Sequence, residues 1–249
     1  MSAPFERHDI RNLSASSVNL WVAQPALWGM EKLLKRRSPV GTVAHRGSAI
    51  EAGVEFGLRN LAASIEECQQ HALADFDRRA ALSGDKNREK HREAVAPAVA
   101  LGVAELRQYG TPDTFQERLE VMLPDIPVPF VGYSDFRWQQ HNIVLDLKSG
   151  EKLPTRIVDP HARQGCIYVH GTDREMRFCY ATPKKLAVYR LEDPQQHLNS
   201  LQRIAKSIER FLSISNDPHE LMALLTPDYE SFYWADPVTR SAGREVFGF

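Results

Sequence analysis

The segment Asn142-Ile143-Val144-Leu145-Asp146-Leu147-Lys148-Ser149 constrains the chain more than any other. Its apolar run marks a central strand. Side chains on a strand alternate between faces, so Asp146 and Lys148 share one face while Leu145 and Leu147 take the other. On a half-exposed strand such an acid and amine form a solvated ion pair worth about 0–1 kcal/mol. On a buried strand the pair is costly, which points to a chemical use. Upstream, Gly132-Tyr133-Ser134-Asp135-Phe136-Arg137 carries a second acid. If this segment pairs antiparallel with the strand ending at Ser149, Asp135 lies across from Asp146 and Lys148. Two carboxylates and an ammonium group then stand together. Hard oxygens of this kind bind Mg²⁺, and the lysine can orient or deprotonate an activated water and offset charge at a phosphate.

The chain has 249 residues, of which 43% are hydrophobic, enough for one sizeable core, and it is read as a single domain over 1–249. Cys68, Cys166 and Cys179 are widely spaced with no CxxC pair, which argues against a disulfide scaffold, a zinc knuckle or an iron-sulfur cluster. No apolar run approaches the roughly 18 residues of a membrane span, and the N-terminus lacks a secretory signal, so a soluble, cytoplasmic protein with no membrane partner is expected. Lys and Arg number 31 against 32 Asp and Glu, and the net charge of -1 removes the easiest argument for a nucleic-acid partner.

Helical spacing dominates residues 13–110. Ser14 or Ser16 caps a helix running to Leu34 with a kink or break at Pro25. A longer helix is predicted from Ser48 to about Arg79, then a solvated connection over Asp85 to His91, then a helix from Arg92 to Tyr109 interrupted by Pro97. From about 115 to 215 the texture changes. Short β-branched and aromatic runs at Leu119 to Leu123, Val128 to Val131 and Ile143 to Leu145 predict an antiparallel meander. A helix over Ala162 to His170, strands over Met176 to Ala181 and Leu186 to Leu191, and a helix over Pro194 to Ile214 follow. The consistent architecture is α/β (α+β): a mixed sheet flanked by helices, with a helical N-terminal portion. The aromatic, turn-rich tail from Thr226 to Phe249 receives no regular structure.

Gly132-x-x-Asp135 followed by a strand ending Asp146-Leu147-Lys148-Ser149 resembles the core of the PD-(D/E)XK nucleases, whose fold is restriction-endonuclease-like, and most closely their RecB-type branch of phage-type and CRISPR-associated exonucleases. The Ser-rich helix start at Leu13 to Leu20, the small-residue stretch Arg46 to Glu55, and Gln164-Gly165-Cys166-Ile167-Tyr168, which is similar to the branch's Gln-x-x-x-Tyr motif, follow the family's order. The cluster-binding cysteines of the CRISPR-associated relatives are absent.

The resemblance implies a Mg²⁺- or Mn²⁺-dependent deoxyribonuclease acting on DNA ends, in phage recombination or DNA repair, with a homo-oligomer or a recombination protein as partner. Asp135, Asp146 and the Leu147 carbonyl would hold the metal and Lys148 would position the attacking water. Glu51 fills the first-motif metal position, with His45 as the alternative register. An all-oxygen site favours Mg²⁺ or Mn²⁺ over softer metals. Gln164 and Tyr168, at i and i+4 on one helix face, would contact the DNA backbone or Lys148, with Arg46 and Ser149 as further substrate contacts. Basic clusters at Lys32, Lys35, Arg36 and Arg37 and at Lys184, Lys185 and Arg190 would bind phosphates, and Phe136 and Trp138 would stack on frayed bases.

Overall fold

The computed structural model describes residues 3–249 and is a mixed α/β fold built on one five-stranded sheet. The N-terminal part contributes α1 (Pro4–Arg7), α2 (Ala15–Ala23), α3 (Pro25–Lys32), α4 (Thr42–Arg59), α5 (Ile65–Arg79), α6 (Arg88–Glu93) and α7 (Val95–Leu106). The sheet holds β1 (Thr114–Val121), β2 (Phe130–Trp138) and β3 (Ile143–Ser149), then α8 (Asp159–Thr172), β4 (Glu175–Ala181) and β5 (Leu186–Arg190). The chain ends in α9 (Pro194–Leu212), α10 (Pro218–Met222) and α11 (Pro237–Phe247).

Spatial order follows sequence order. β1, β2 and β3 form the antiparallel meander, β3 and β4 are parallel across α8, and β5 returns antiparallel. β3 is therefore the central strand, as its apolar run predicts. Alternation along the strands divides the core between the two sheet faces. Val144, Met176 and Phe178 join α2, α3, α8 and α9 on one side, and Ile143, Leu145, Leu147 and Cys179 join α4, α5 and α7 on the other. Close packing on the second side depends on Gly53 of α4, where a β-carbon would meet the Ala72 β-carbon at 2.6 Å.

Four local readings are corrected. The helix expected from Ser48 to Arg79 is two helices: α4 starts earlier, at Thr42, and the chain breaks at residues 60–64. Ser64 there accepts from the Glu67 N–H while the Glu67 carboxylate accepts from the Ser64 N–H, a reciprocal cap that starts α5. The polar stretch 85–91 is not a solvated connection throughout. Arg88–Glu93 is helical because His91 turns inward against Arg46 and is 5% exposed. The tail folds, with the buried Trp234 indole donating to Gln24 Oε1 and Asp236 capping α11. Phe136 and Trp138 are fully buried in the α4–α5–α7 layer and cannot stack on bases.

Candidate active site

The geometry begins where β2 and β3 part. Their ladder runs from Trp138 opposite Ile143 to Phe136 opposite Leu145, and one further step of that register faces Asp135 with Asp146. There the backbones no longer pair. Asp135 Oδ2 instead accepts the Leu147 N–H at 2.7 Å, so a side chain satisfies the donor that a continued ladder would have used. A strand residue's N–H and C=O leave the same edge, and this sets the Leu147 carbonyl toward the same opening.

Asp146 is 1% exposed and Asp135 7%. Lys148 Nζ lies 2.6 Å from Asp146 Oδ2, and Asp146 Oδ1 accepts from Gln164 Nε2 at 2.9 Å. Gln164 also donates to the Tyr168 hydroxyl at 2.6 Å, and that hydroxyl donates to the Tyr133 carbonyl at 2.6 Å. The i, i+4 pair of α8 therefore fixes Asp146 from one side of the sheet and ties itself to β2 in the same chain of hydrogen bonds. Glu51 arrives from α4, in the opposite layer.

Burial is the main cause of unusual ionisation here. It pushes Glu51 up to about 7, with Asp146 and Glu55 adding repulsion. Asp135 is held well above the ordinary aspartate range by burial, then by Asp146 and Glu51. Asp146 is raised by burial against the opposing pull of Lys148. Burial alone would lower the Lys148 ammonium, but Asp146 and Asp135 outweigh it and raise the pKa, so the amine stays charged. Burial pushes the Tyr168 phenol up, with Asp146 adding to it, and the ring remains a neutral hydrogen-bonding group.

Glu51, Asp135, Asp146, Leu147, Lys148, Gln164 and Tyr168 thus come together. Ser149 ends β3 beside α4, its Oγ 3.5 Å from where a β-carbon on Gly47 would stand. Arg46 is 4% exposed and turned toward His91 Nδ1, 3.3 Å away, rather than toward the carboxylates. The α4 side chain that couples to Asp146 is Glu51.

Two contributors were not legible in the sequence. Gln116, on β1, donates to Asp135 Oδ1 at 3.0 Å and to Glu51 Oε1. In Thr114-Phe115-Gln116-Glu117 it reads as one more solvent-facing polar residue. His161, on α8, bonds the Tyr180 hydroxyl at 2.8 Å and is pulled down to about 4 by burial and then by Lys148. A cleft of about 980 Å³ opens beside Lys148, Gln164 and Tyr168, and Ser14, Lys32 and Arg118 line its other walls.

The oxygens fit a hard divalent cation. Asp146 Oδ2 has the Lys148 ammonium beside it but no donor aligned on it as a hydrogen bond, and the three mutually repelling carboxylates have more negative charge than one ammonium offsets. Among the described residues, no three His, Cys, Asp or Glu side chains meet as a preformed metal cage; Gln116 stands between Glu51 and Asp135.

No protein-family model matches the chain, and no curated protein matches it. Among solved structures it is similar to the one described as the crystal structure of SSO0001, at 14% identity and a TM-score of 0.34, over 65% of this chain and 84% of that one. Among the described residues no helix is long and apolar enough to cross a membrane.

Proposed function

We propose that the protein is a Mg²⁺- or Mn²⁺-dependent deoxyribonuclease of the PD-(D/E)XK type, RecB-like, that hydrolyses phosphodiester bonds from DNA ends. The observation that carries this reading is the meeting of Asp135, Asp146 and Lys148 at the parting of β2 and β3, with Glu51 opposite and Gln164 fixing Asp146. Buried like charges with raised pKa values, with a cleft opening at Lys148 and Gln164 beside them, are the pattern of a chemical site.

Glu51, Asp135, Asp146 and the Leu147 carbonyl would hold the cation, which when bound would polarise the scissile phosphate and acidify a water. Lys148, held charged by Asp146, aims an ammonium donor at the cleft to orient that water and to meet negative charge developing on phosphate. Gln164 and Tyr168 keep Asp146 from turning away. Lys32 and Arg118 in the cleft walls offer phosphate contacts that position a strand without reading its sequence, and Tyr133, 51% exposed at the cleft, offers a face for a base.

The test is purified protein on end-labelled linear and covalently closed circular DNA. Linear DNA is degraded with Mg²⁺ or Mn²⁺, EDTA abolishes the reaction, and Asp146→Ala and Lys148→Ala each lower the rate by at least 100-fold, on the order expected for a polarising or proton-handling group. Resistance of closed circles supports action at ends, and cutting of circles makes the protein an endonuclease. Full activity in Lys148→Ala sinks the role of that lysine. Salt-sensitive DNA binding with no cleavage in either metal selects a non-catalytic scaffold instead.

A further inference from the structure

We propose that Gln116 is a placeholder at the carboxylate cluster: its amide nitrogen bridges Glu51 and Asp135, competes with a divalent cation for those oxygens, and so sets the metal affinity of the site. The inference rests on the reading of the carboxylates as a metal site and assigns a role to a residue outside the motif.

Gln116 lies within β1 yet has a left-handed backbone, with φ of +50°. The β1–β2 ladder pairs Phe115 with Phe136 and Glu117 with Ser134, and Gln116 faces Asp135 at the step between them. A non-glycine side chain in this conformation within a strand is disfavoured and persists where its surroundings over-determine it. Gln116 is itself exposed, and its side chain reaches inward to the two acids: Nε2 donates to Asp135 Oδ1 at 3.0 Å and to Glu51 Oε1. A carboxamide nitrogen carries two N–H donors, matching one acceptor oxygen on each of the two acids.

A cation drawing on the same oxygens would need the space between them into which that nitrogen reaches. An N–H group cannot face a cation, so metal uptake requires the carboxamide to swing out or rotate and surrender two hydrogen bonds. The loss of those bonds is subtracted from the affinity. Removing the amide therefore tightens metal binding and leaves the metal-free carboxylates less well held.

The test is calorimetric titration of Mn²⁺ into the EDTA-stripped full chain at pH 7.5, comparing wild type with Gln116→Leu and Gln116→Gly. The glycine variant suits the left-handed backbone, so it removes the amide without strain and serves even if the leucine variant folds poorly. Both variants are expected to bind Mn²⁺ about tenfold more tightly than wild type, a factor that corresponds to about 1.4 kcal/mol, and metal-free Gln116→Leu is expected to melt at a lower temperature. Weaker binding in both variants would make the amide oxygen a ligand and overturn the proposal, and equal affinity in all three overturns it as well. If no form takes up Mn²⁺, the metal-site reading itself falls, an outcome distinct from failure of the role of Gln116 alone.

Discussion

Gly132 lies against the ring of Tyr168 so closely that a β-carbon there would stand 2.7 Å from Tyr168 Cε1. Tyr168 is 1% exposed and its hydroxyl sits between Gln164 and the Tyr133 carbonyl, so the ring has no room to retreat without breaking those bonds. The missing side chain at Gly132 therefore lets α8 reach β2 and lets Gln164 reach Asp146. Gly132→Ala is expected to destabilise the fold by about 1–3 kcal/mol in urea unfolding, through overpacking. If the chain is the proposed nuclease, Gly132→Ala should also lower its cleavage rate more than Gly53→Ala, which overpacks the helical layer on the other side of the sheet. Equal losses in the two variants would mean that Gly132 acts through stability alone.

Among the elements, α4 and α5 show how a local signal divides a continuous pattern. Apolar spacing carries through Leu58, Leu61, Ile65 and Cys68, but the Ser64–Glu67 reciprocal cap restarts the helix. Ser64→Ala is expected to cost about 1 kcal/mol, a fall of about 2–4 °C in Tm for a chain of this size, with any activity of the proposed site unchanged because the cap belongs to none of the site's hydrogen bonds. A loss of activity without a fall in Tm would contradict that separation. β3 makes the complementary point. It carries the acid, the amine and the backbone carbonyl on one element, and its partner β2 supplies the second acid, Asp135, where the β2–β3 ladder ends.

For the whole molecule, the near-neutral net charge conceals local grouping: three carboxylates gather where β2 and β3 part, and Lys32, Arg118 and Glu31 line the cleft that opens at Lys148. The raised carboxyl pKa values make stability depend on pH. Glu51 titrates near 4.5 when unfolded and at about 7 in the fold, so between these values the folded state holds a proton that the unfolded state has released. Its contribution is thus present below about pH 4.5 and declines as the pH rises to 7. Thermal melts in EDTA should show a loss on the order of 3 kcal/mol across this window, and Glu51→Gln should flatten it. Mg²⁺ should raise Tm more at pH 8 than at pH 5.5, because ligands must be deprotonated to bind. An EDTA profile unchanged by Glu51→Gln would remove the coupling assigned to that residue.

The sequence by itself determined the strand pattern, the central place of β3, the shared face of Asp146 and Lys148, and the i, i+4 pairing of Gln164 with Tyr168. These follow from periodicities of two and 3.6 residues, which depend on local backbone geometry alone. It did not determine where the long helical pattern breaks, that His91 and the tail around Trp234 are buried, or that Phe136 and Trp138 belong to the core, because a residue's exposure depends on what the distant chain packs against it. Only the tertiary structure decided that β2 and β3 part after Phe136 and Leu145, that Glu51 meets Asp135 and Asp146 from the far layer, and that Gln116 takes a left-handed backbone between them. Buried charges and strained backbone are compromises among elements remote in sequence, and a polar residue in an alternating strand gives no local sign of them.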